Sequence, residues 1–309
     1  MNGPTGQRGV ALLTALLIVA ILTTVSVYLA WDQTLAIRRT QDLVAQGRAY
    51  ALCLGAEAWA AQTLADNARK HPGVVDLKQS WASPMLPVSV GDAQVVGQLE
   101  DLQGRFNLNN LVAGQQVIGT SRMRLARLLE MFKATPGLVD AVIDWIDPND
   151  IPTGSDGAED GYYLGLQPPY RAANNAFIAA STLRVVRGFD AKLTNALAPY
   201  VVALPSGTAI NVNTAPAPVL RSLGLSADRA QAIIKQRNNK PFTALAQFLA
   251  SPTLSGQSFD SARLGVTSDY FLLHVQATIG RARATLYSVL QIEDNGTVRV
   301  LMRSRDTAP

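Results

Sequence analysis

Residues 10–31 read VALLTALLIVAILTTVSVYLAW, and no charged side chain interrupts them. As an α-helix that rises about 1.5 Å per residue, this stretch is roughly 30 Å long, the thickness of the hydrocarbon core of a bilayer. A cleavable signal sequence would have an apolar region of about 7 to 15 residues ending in small side chains, whereas Tyr28 and Trp31 stand at the far end here. A buried helix of a soluble protein is the other alternative. We predict a retained transmembrane helix.

A second helical pattern follows directly. Mostly small residues recur at steps of three and four, and we call them the small-residue stripe: Val44, Gly47, Ala51, Leu54, Ala58, Ala61 and Ala65. The spacing predicts that one helix continues beyond the membrane, and the sequence His71-Pro72-Gly73 predicts its end. The stripe would pack either against a partner's helix, because small side chains let backbones approach closely, or against a sheet of the same chain.

The composition of the 309-residue chain excludes several classes of protein. Hydrophobic residues make up 48% and the net charge is +4, which excludes a disordered chain. A single cysteine cannot form an internal disulfide, and two histidines, His71 and His274, leave little for a zinc site or a histidine-based catalytic triad. The small positive charge is atypical of a dedicated nucleic-acid-binding protein.

Strand patterns flank the middle of the chain. Residues 93–100 are typical of a strand, and in residues 270–279 apolar side chains alternate with polar ones. Residues 283–293 and 297–303 follow, joined by Asp294-Asn295-Gly296, and Asn-Gly between alternating stretches indicates a hairpin. The sequence therefore predicts an antiparallel sheet after the long helix.

The middle of the chain, residues 106–204, reads as mostly helical and contains a faint repeat. Residues 105–110 (RFNLNN) match residues 209–214 (AINVNT), and the second copy continues to residue 234 in a pattern that resembles a helix-hairpin-helix unit. In DNA-binding versions of this unit, backbone amides at the hairpin hold phosphate. Here Gly224 would supply the hairpin, and Lys235, Arg237 and Lys240 the charge. A packing module is the alternative, which the membrane helix and a neighbouring acidic segment favour.

This acidic segment lies between Lys133 and Arg171, where no lysine or arginine occurs. Carboxylates, carbonyls and water are the ligands of a hard cation such as calcium, although the spacing is not that of an EF-hand. A solvated acidic loop is one alternative, and a catalytic carboxylate pair like that of glycosidases is another. The acidic residues of the segment are Asp140, Asp144, Asp147, Asp150, Asp156, Glu159 and Asp160.

The amino-terminal sequence resembles a type IV prepilin leader. Arg8-Gly9 precedes Val10-Ala11-Leu12-Leu13-Thr14, and in such proteins prepilin peptidase cuts after the glycine and methylates the new amino terminus, here Val10. Most members carry glutamate at the fifth mature position, where this chain has Thr14. That departure, together with residues 144–150 (DWIDPND), residues 157–160 (GAED) and residues 162–163 (YY), is similar to the protein K family of general secretion pathway (type II secretion) minor pseudopilins.

The resemblance covers nearly the whole chain and implies an α+β, type IV pilin-like fold interrupted by a mainly α-helical, SAM-like domain. The implied divisions are a leader at residues 1–9, a transmembrane helix at 10–31, a pilin-like helix and first strand at 32–105, the inserted domain at 106–204, and a helix-hairpin-helix-like segment with the final strands at 205–309. It also implies structural calcium in the inserted domain. The candidate ligands are Asp147, Asp150, Glu159 and Asp160, followed by Asp144 and Asp156.

The implied function is non-enzymatic. A protein of this family lies in the inner membrane with a single span and its carboxyl-terminal bulk in the periplasm, and with minor pseudopilins I, J and H forms the tip that starts the pseudopilus of the major pseudopilin. In the fibre, the glutamate of an incoming subunit pairs with the amino terminus of its predecessor. An unpaired charge in hydrocarbon costs on the order of 3 kcal/mol. A subunit without that glutamate therefore cannot add below another subunit in this way, whereas its own amino terminus can still pair with the glutamate of the next subunit. A membrane-anchored helix-hairpin-helix protein for DNA binding or uptake is the alternative function, whereas the resemblance predicts no nucleic-acid partner.

Overall fold

The computed structural model describes residues 7–257 and 260–305. Residues 1–6, which belong to the predicted leader, lie outside the described residues. In chain order, the helices are α1 (Gln7–Lys70), α2 (Gly119–Met131), α3 (Leu138–Ile146), α4 (Asp160–Tyr163), α5 (Ala191–Leu197), α6 (Ala217–Ser222), α7 (Ala227–Asn239) and α8 (Leu245–Leu249). The strands are β1 (Met85–Val90), β2 (Ala93–Asp101), β3 (Phe106–Asn107), β4 (Val112–Ala113), β5 (Gln116–Val117), β6 (Val201–Val202), β7 (Ile210–Asn211), β8 (Leu264–Gly265), β9 (Tyr270–Ile279), β10 (Ala282–Ile292) and β11 (Val298–Arg305).

Helix α1 is continuous from the apolar stretch into the folded part. Its most apolar 18-residue window has a mean hydropathy of 2.6 and is not buried by the rest of the chain, so the helix is long and apolar enough to cross a membrane. Arg69 and Lys70 occupy its last turn, where positive charge is favourable. The chain then leaves the helix through Gly73, whose φ of 78° suits glycine, so the helix ends where the sequence predicts.

Helix α1 packs on the sheet with a face other than the small-residue stripe. Ala49, Cys53, Ala60 and Leu64 are completely buried in the core that it shares with the sheet, whereas every member of the stripe is exposed or only half-buried. The interpretation of the stripe as core is therefore wrong. The sequence carries two faces of small residues about half a turn apart, and periodicity alone does not tell which one meets the sheet.

The sheet has five antiparallel strands in the order β1-β2-β9-β10-β11. Strand β9 has the predicted bounds, and β2, β10 and β11 differ from the predicted ranges by one or two residues at an end. Strand β1 was not predicted, and it contains Pro87. Proline cannot donate to a strand ladder, and β1 accommodates Pro87 as an edge strand with an irregular register. The α+β fold class is confirmed.

A buried ion pair fixes α1 to the outer strand. The Glu57 carboxylate accepts hydrogen bonds from Arg303 Nε at 2.9 Å and Nη2 at 2.7 Å, and also from the Ser288 hydroxyl. The Glu57 side chain is only 6% exposed, whereas that of Arg303 is half-exposed. Burial raises the pKa of Glu57, but the hydrogen bonds from Arg303 and Ser288 outweigh it and leave that pKa below its usual value. Glu57 is therefore a charged group inside the core that depends on Arg303.

The remaining elements form a second core that extends from Phe106 to Val266. The helix-hairpin-helix-like segment thus shares its core with residues 106–204, whereas the predicted division at residues 204/205 groups that segment with the final strands. Helix α6 packs against both α2 and α7, and the contact of α6 with the distant α2 has no local signal in the sequence.

The faint repeat corresponds to two similar structural units. The Asn109 side chain accepts a hydrogen bond from the Phe177 backbone amide at 2.8 Å and donates one to the Phe177 carbonyl at 3.0 Å. The Asn213 side chain makes the same two hydrogen bonds with Phe242, both at 2.9 Å. Each unit also closes with a short parallel pair, β3 with β6 and β7 with β8. The matched asparagines therefore satisfy buried backbone groups where each unit returns to its start.

A buried carboxylate joins the sheet to this second core. Asp101, at the end of β2, accepts hydrogen bonds from Asn211 Nδ2 (3.1 Å), Thr214 Oγ1 (2.6 Å), Ser268 Oγ (2.6 Å) and the Gln103 amide (2.8 Å). Burial raises the pKa of Asp101 despite these bonds. The four donors come from three separate segments, so Asp101 holds the junction together.

We predict that Arg303→Ala lowers the free energy of unfolding by about 3 kcal/mol, because it leaves the buried Glu57 carboxylate without its counter-charge. Arg299→Ala on the same strand is the matched control. Its partner Glu293 is more exposed, so the expected loss is less than about 1 kcal/mol. Urea unfolding of the full chain in detergent measures both values. Equal losses would contradict the assignment of Glu57 and Arg303 as the ion pair that fixes α1 to the outer strand.

Candidate metal centre

The acidic segment is positioned by α3 and α4. Helix α3 is buried along almost its whole length and ends at Asp147, whose amide donates to the Ile143 carbonyl. Trp145 packs edge-on against Tyr163 of α4, with ring centroids 5.3 Å apart. This aromatic contact brings the end of α3 next to the start of α4, so that Asp147 and Glu159 come from two sides of one loop.

Several of the predicted ligands already have partners of their own. Asp144 is fully buried and accepts from the Thr153 amide at 2.9 Å. Asp160 pairs with Arg171 at 2.9 Å and accepts from the Ala172 amide. Asp156 lies against Gly137, where an added Cβ would stand 1.9 Å from its Oδ2. The six predicted ligands are therefore distributed over separate surroundings, and within residues 7–257 and 260–305 no three acidic, histidine or cysteine side chains form a ready-made metal cluster.

Two of the predicted ligands have buried oxygens that no donor reaches. Glu159 and Asp147 are each 3% exposed. Both carboxylate oxygens of Glu159 and Oδ1 of Asp147 lack a hydrogen-bond partner among the described residues. Buried polar atoms are nearly always paired in folded proteins, so these three oxygens require an explanation.

Asn174 is a further contributor that the sequence did not reveal. Its Nδ2 donates to Asp150 Oδ1 at 2.8 Å, which ties Asp150 to the loop, while its own Oδ1 is buried without a donor among the described residues. Its φ is 42°, a left-handed conformation that asparagine tolerates better than most residues. An asparagine is the only sequence signal at this position, and by itself it does not point to a metal.

The electrostatics of the loop favour a bound cation. Burial, followed by repulsion from Asp144, Asp147, Asp150 and Asp160, raises the pKa of Glu159 to about 8. Burial and the neighbouring Asp144 likewise raise the pKa of Asp147. Carboxylate and amide oxygens without donors, in a field of negative charge, are the donor set that a hard cation such as Ca²⁺ takes. Asp147, Glu159 and Asn174, with Asp150 beside them, therefore fit such an ion.

The helix-hairpin-helix-like segment is arranged for packing. Gly224, with φ of 105°, lies between α6 and α7, and Leu223 and Leu225 on either side of it are buried. Arg127 of α2 donates to the Ser222 carbonyl and covers the hairpin. A hairpin that binds phosphate presents free backbone amides to the ligand. This hairpin instead packs against its own chain, and that arrangement favours the interpretation as a packing module.

Comparisons with known proteins agree on one family. Models of the family described as type II secretion system protein K match residues 104–206 and 210–267. The type II secretion system protein K of Pseudomonas aeruginosa is 35% identical, covering 96% of this chain and 92% of the relative, and that of Aeromonas hydrophila is 34% identical, covering 92% of each. A crystal structure of the GspK-GspI-GspJ complex from the enterotoxigenic Escherichia coli type 2 secretion system contains a similar chain, with a TM-score of 0.78 and 27% identity over 87% of this chain and 100% of that chain.

We predict a pH dependence of stability in protein treated with a chelator. A carboxyl whose pKa is about 8 when folded but near 4.5 when unfolded makes the folded state progressively less stable as the pH rises between those values. Thermal unfolding in EDTA should therefore occur at lower temperature at pH 8 than at pH 5, and Glu159→Gln should reduce this difference. Asp156→Asn is the control and should keep it, and identical pH profiles for wild type and Glu159→Gln would refute the prediction.

Proposed function

The chain belongs to the type II secretion system protein K family, and from this membership we propose that it caps the tip of the pseudopilus and initiates its assembly. Its role in type II secretion is that of a minor pseudopilin. We propose that it acts without enzymatic activity, together with minor pseudopilins I, J and H, and through them with the major pseudopilin. The relative of known structure forms a complex with GspI and GspJ, which supports the first two partners.

The observation that carries the tip position is the side chain at residue 14. Thr14 offers no carboxylate, and its hydroxyl donates to the Ala11 carbonyl at 3.0 Å within its own helix. It therefore has no charge with which to meet the amino terminus of a preceding subunit in hydrocarbon. The mature amino terminus at Val10, formed by cleavage after Gly9, can still accept the glutamate of a following subunit. A subunit whose amino terminus can pair with the next subunit, but which has no carboxylate at residue 14 to pair with a preceding one, belongs at the start of the fibre.

The exposed small-residue stripe supports contact with a partner's helix. At Gly47 and Gly55, on the outer side of α1, a Cβ would meet no atom within 4 Å beyond the adjacent residues and the nearby backbone of the helix itself. Ala51 and Ala58 are exposed beside them. Small side chains allow a second helix to approach closely. Because α1 also carries the membrane-spanning part, partner helices that rise from the same membrane would lie alongside this face.

The proposed location is the inner membrane, with a single span at residues 10–31 and the remainder in the periplasm. The span is uncharged, and its end at Tyr28 and Trp31 is typical of an aromatic boundary at the lipid surface. Charged residues resume directly after this span, at Asp32, Arg38 and Arg39. Folded exported proteins are available to a pseudopilus in the periplasm, which is where this bulk must lie to act.

Calcium is the proposed structural ion of the acidic loop. Asp147, Glu159 and Asn174 would hold it, because they supply buried oxygens that lack donors among the described residues, and Asp150 would stand beside them. The ion would supply positive charge where burial and four neighbouring carboxylates raise the pKa of Glu159. Its role is to hold the end of α3 against α4. Asp144, Asp156 and Asp160 would shape the loop from their existing contacts rather than bind directly.

We predict that Thr14→Glu moves the subunit from the tip into the shaft. The new carboxylate can pair with a predecessor's amino terminus, so the variant should appear along the fibre and initiate fewer fibres. Immunogold labelling of fibres and the amount of exported protein measure the two effects. Thr14→Gln, which is uncharged, is the matched control.

Mass spectrometry of the mature chain shows whether each variant is cut after Gly9 and methylated at Val10. Processed Thr14→Glu that stays at the tip and initiates fibres at the wild-type rate would refute the tip argument.

We predict that calorimetric titration of the full chain with Ca²⁺ gives a binding signal that Glu159→Gln and Asp147→Asn each weaken at least about tenfold, since each removes a charged ligand. Asn174→Ala should weaken it as well, although it removes no charge. Asp156→Asn, against Gly137, should bind like the wild type. No heat in the wild type, or an equal loss in the Asp156 variant, would contradict the assignment.

A further inference from the structure

Arg187 reaches the acidic loop from a turn that lies further along the chain, just before α5. The residues Val186 and Phe189 of this turn are buried, and the Phe189 amide donates to the Val186 carbonyl at 3.1 Å. Gly188 has a φ of 82°, and an added Cβ there would clash with the side chain of Leu138, the first residue of α3. The turn is therefore fixed against the start of α3, and the Arg187 side chain extends from a fixed base.

The contacts of Arg187 lie on both sides of Glu159 in the chain. Its Nη1 donates to the Gly157 carbonyl at 2.8 Å, two residues before Glu159. Its guanidinium carbon lies 5.0 Å from the centroid of the Tyr162 ring, three residues after Glu159. The backbone amide of Arg187 also donates to the Tyr163 hydroxyl at 3.2 Å. One arginine therefore holds the backbone before and after a candidate ligand.

The backbone around Glu159 determines where its carboxylate lies. Gly157 packs so closely that an added Cβ would clash with Asp144 and Thr153, and its carbonyl is held by Arg187. Glu159 follows at the N-cap of α4, but its side chain makes no capping hydrogen bond. Since the helix does not direct this carboxylate, its position depends on the chain segments that Arg187 contacts.

The charge of Arg187 does not explain its place beside an acidic loop. Its side chain contacts two neutral groups, a carbonyl oxygen and an aromatic ring, and it forms no ion pair with a carboxylate among the described residues. A fixed positive charge repels a bound cation, so by charge alone this arginine would weaken a calcium site. Its contacts are instead those of an outer group that orients a metal ligand.

We propose that Arg187 is a positioning residue for the calcium site, which holds the chain on both sides of Glu159. In this position the Glu159 carboxylate joins Asp147 and Asn174 around the ion. The inference rests on the proposed structural calcium and adds a residue, outside the set of ligands, on which the site depends. A positively charged side chain thus strengthens the binding of a cation.

The test uses the full chain in detergent and two metal probes, Ca²⁺ for affinity and Tb³⁺, which takes the same oxygen ligands, for coordination. Arg187→Gln should weaken Ca²⁺ binding about tenfold, as expected when the support of a ligand is lost. Removal of a positive charge alone would instead tighten binding, so the direction of the change separates the two roles. Tb³⁺ bound to this variant should carry about one more water molecule, because Glu159 no longer reaches the ion. Luminescence lifetimes in H₂O and D₂O count these waters.

Arg171→Gln is the matched control. It removes the same charge from the exposed partner of Asp160, and it should bind Ca²⁺ at least as tightly as the wild type, with an unchanged number of waters on Tb³⁺. Tyr162→Leu keeps the net charge and removes only the ring beneath the guanidinium, so it should weaken Ca²⁺ binding about threefold. Arg187→Lys, which keeps the charge and can still donate to the Gly157 carbonyl, should restore part of the affinity lost in Arg187→Gln.

The remaining outcomes are also decisive. Ca²⁺ affinity of Arg187→Gln equal to or above that of the wild type would overturn the proposal. A weaker affinity with an unchanged number of waters, or an equal loss in Arg171→Gln, would overturn it in favour of a general effect on the loop. If Arg187→Gln does not fold, wild-type affinity in Tyr162→Leu would overturn it. Absence of Ca²⁺ binding by the wild-type chain would instead contradict the proposed calcium site, which separates the two failures.

Discussion

The structure depends on one constraint: a single helix must be soluble in lipid over its first part and form a protein core over its second. In lipid, α1 needs an uninterrupted apolar surface, and every backbone group must be paired within the helix. On the sheet, it needs a narrow buried face, supplied by Ala49, Cys53, Ala60 and Leu64. Small residues give close packing but bury little apolar area. Because the apolar burial is modest, the ion pair between Glu57 and Arg303 also contributes to fixing the position of α1 on the sheet.

The acidic loop concentrates like charge at one place in the fold. Burial of the Glu159 carboxyl, together with repulsion from the neighbouring carboxylates, raises the pKa of Glu159 to about 8. This arrangement disfavours the isolated chain, since like charges repel. The proposed ion would supply the missing counter-charge.

Local patterns in the sequence predicted the parts of the fold with strong periodicity. The alternation in β9 gave its bounds, and the Asn-Gly hairpin located β10 and β11. Patterns failed where distant contacts decide the outcome. Strand β1 forms despite Pro87 because β2 supplies an edge to pair with. The face of α1 that meets the sheet is selected in part by Arg303, more than two hundred residues away in the chain.

At the candidate site, too, the sequence shows which residues are acidic, whereas only the folded chain shows which contacts they make. The acidic segment is visible in composition, so its carboxylates were identified, but composition does not tell which oxygens lack donors. Asp160, one of the first candidates, pairs with Arg171 in the structure, and its assignment as a ligand stays a prediction. Asn174 was not recognised, because only the folded chain shows that its Oδ1 is buried without a donor among the described residues. Family resemblance pointed to this segment as a candidate. The folded geometry distinguishes Asp147 and Glu159 from their neighbours, because their buried oxygens lack donors among the described residues.

The carboxylate of Asp101 has a mechanical consequence. It accepts hydrogen bonds from three segments at the point where the sheet meets the second core, so these segments are fixed to one another there. Together with the ion pair between Glu57 and Arg303, it ties α1, the sheet and the second core to one another through two buried carboxylates. In the proposed tip position, a displacement of α1 would therefore pass to the second core through these two contacts.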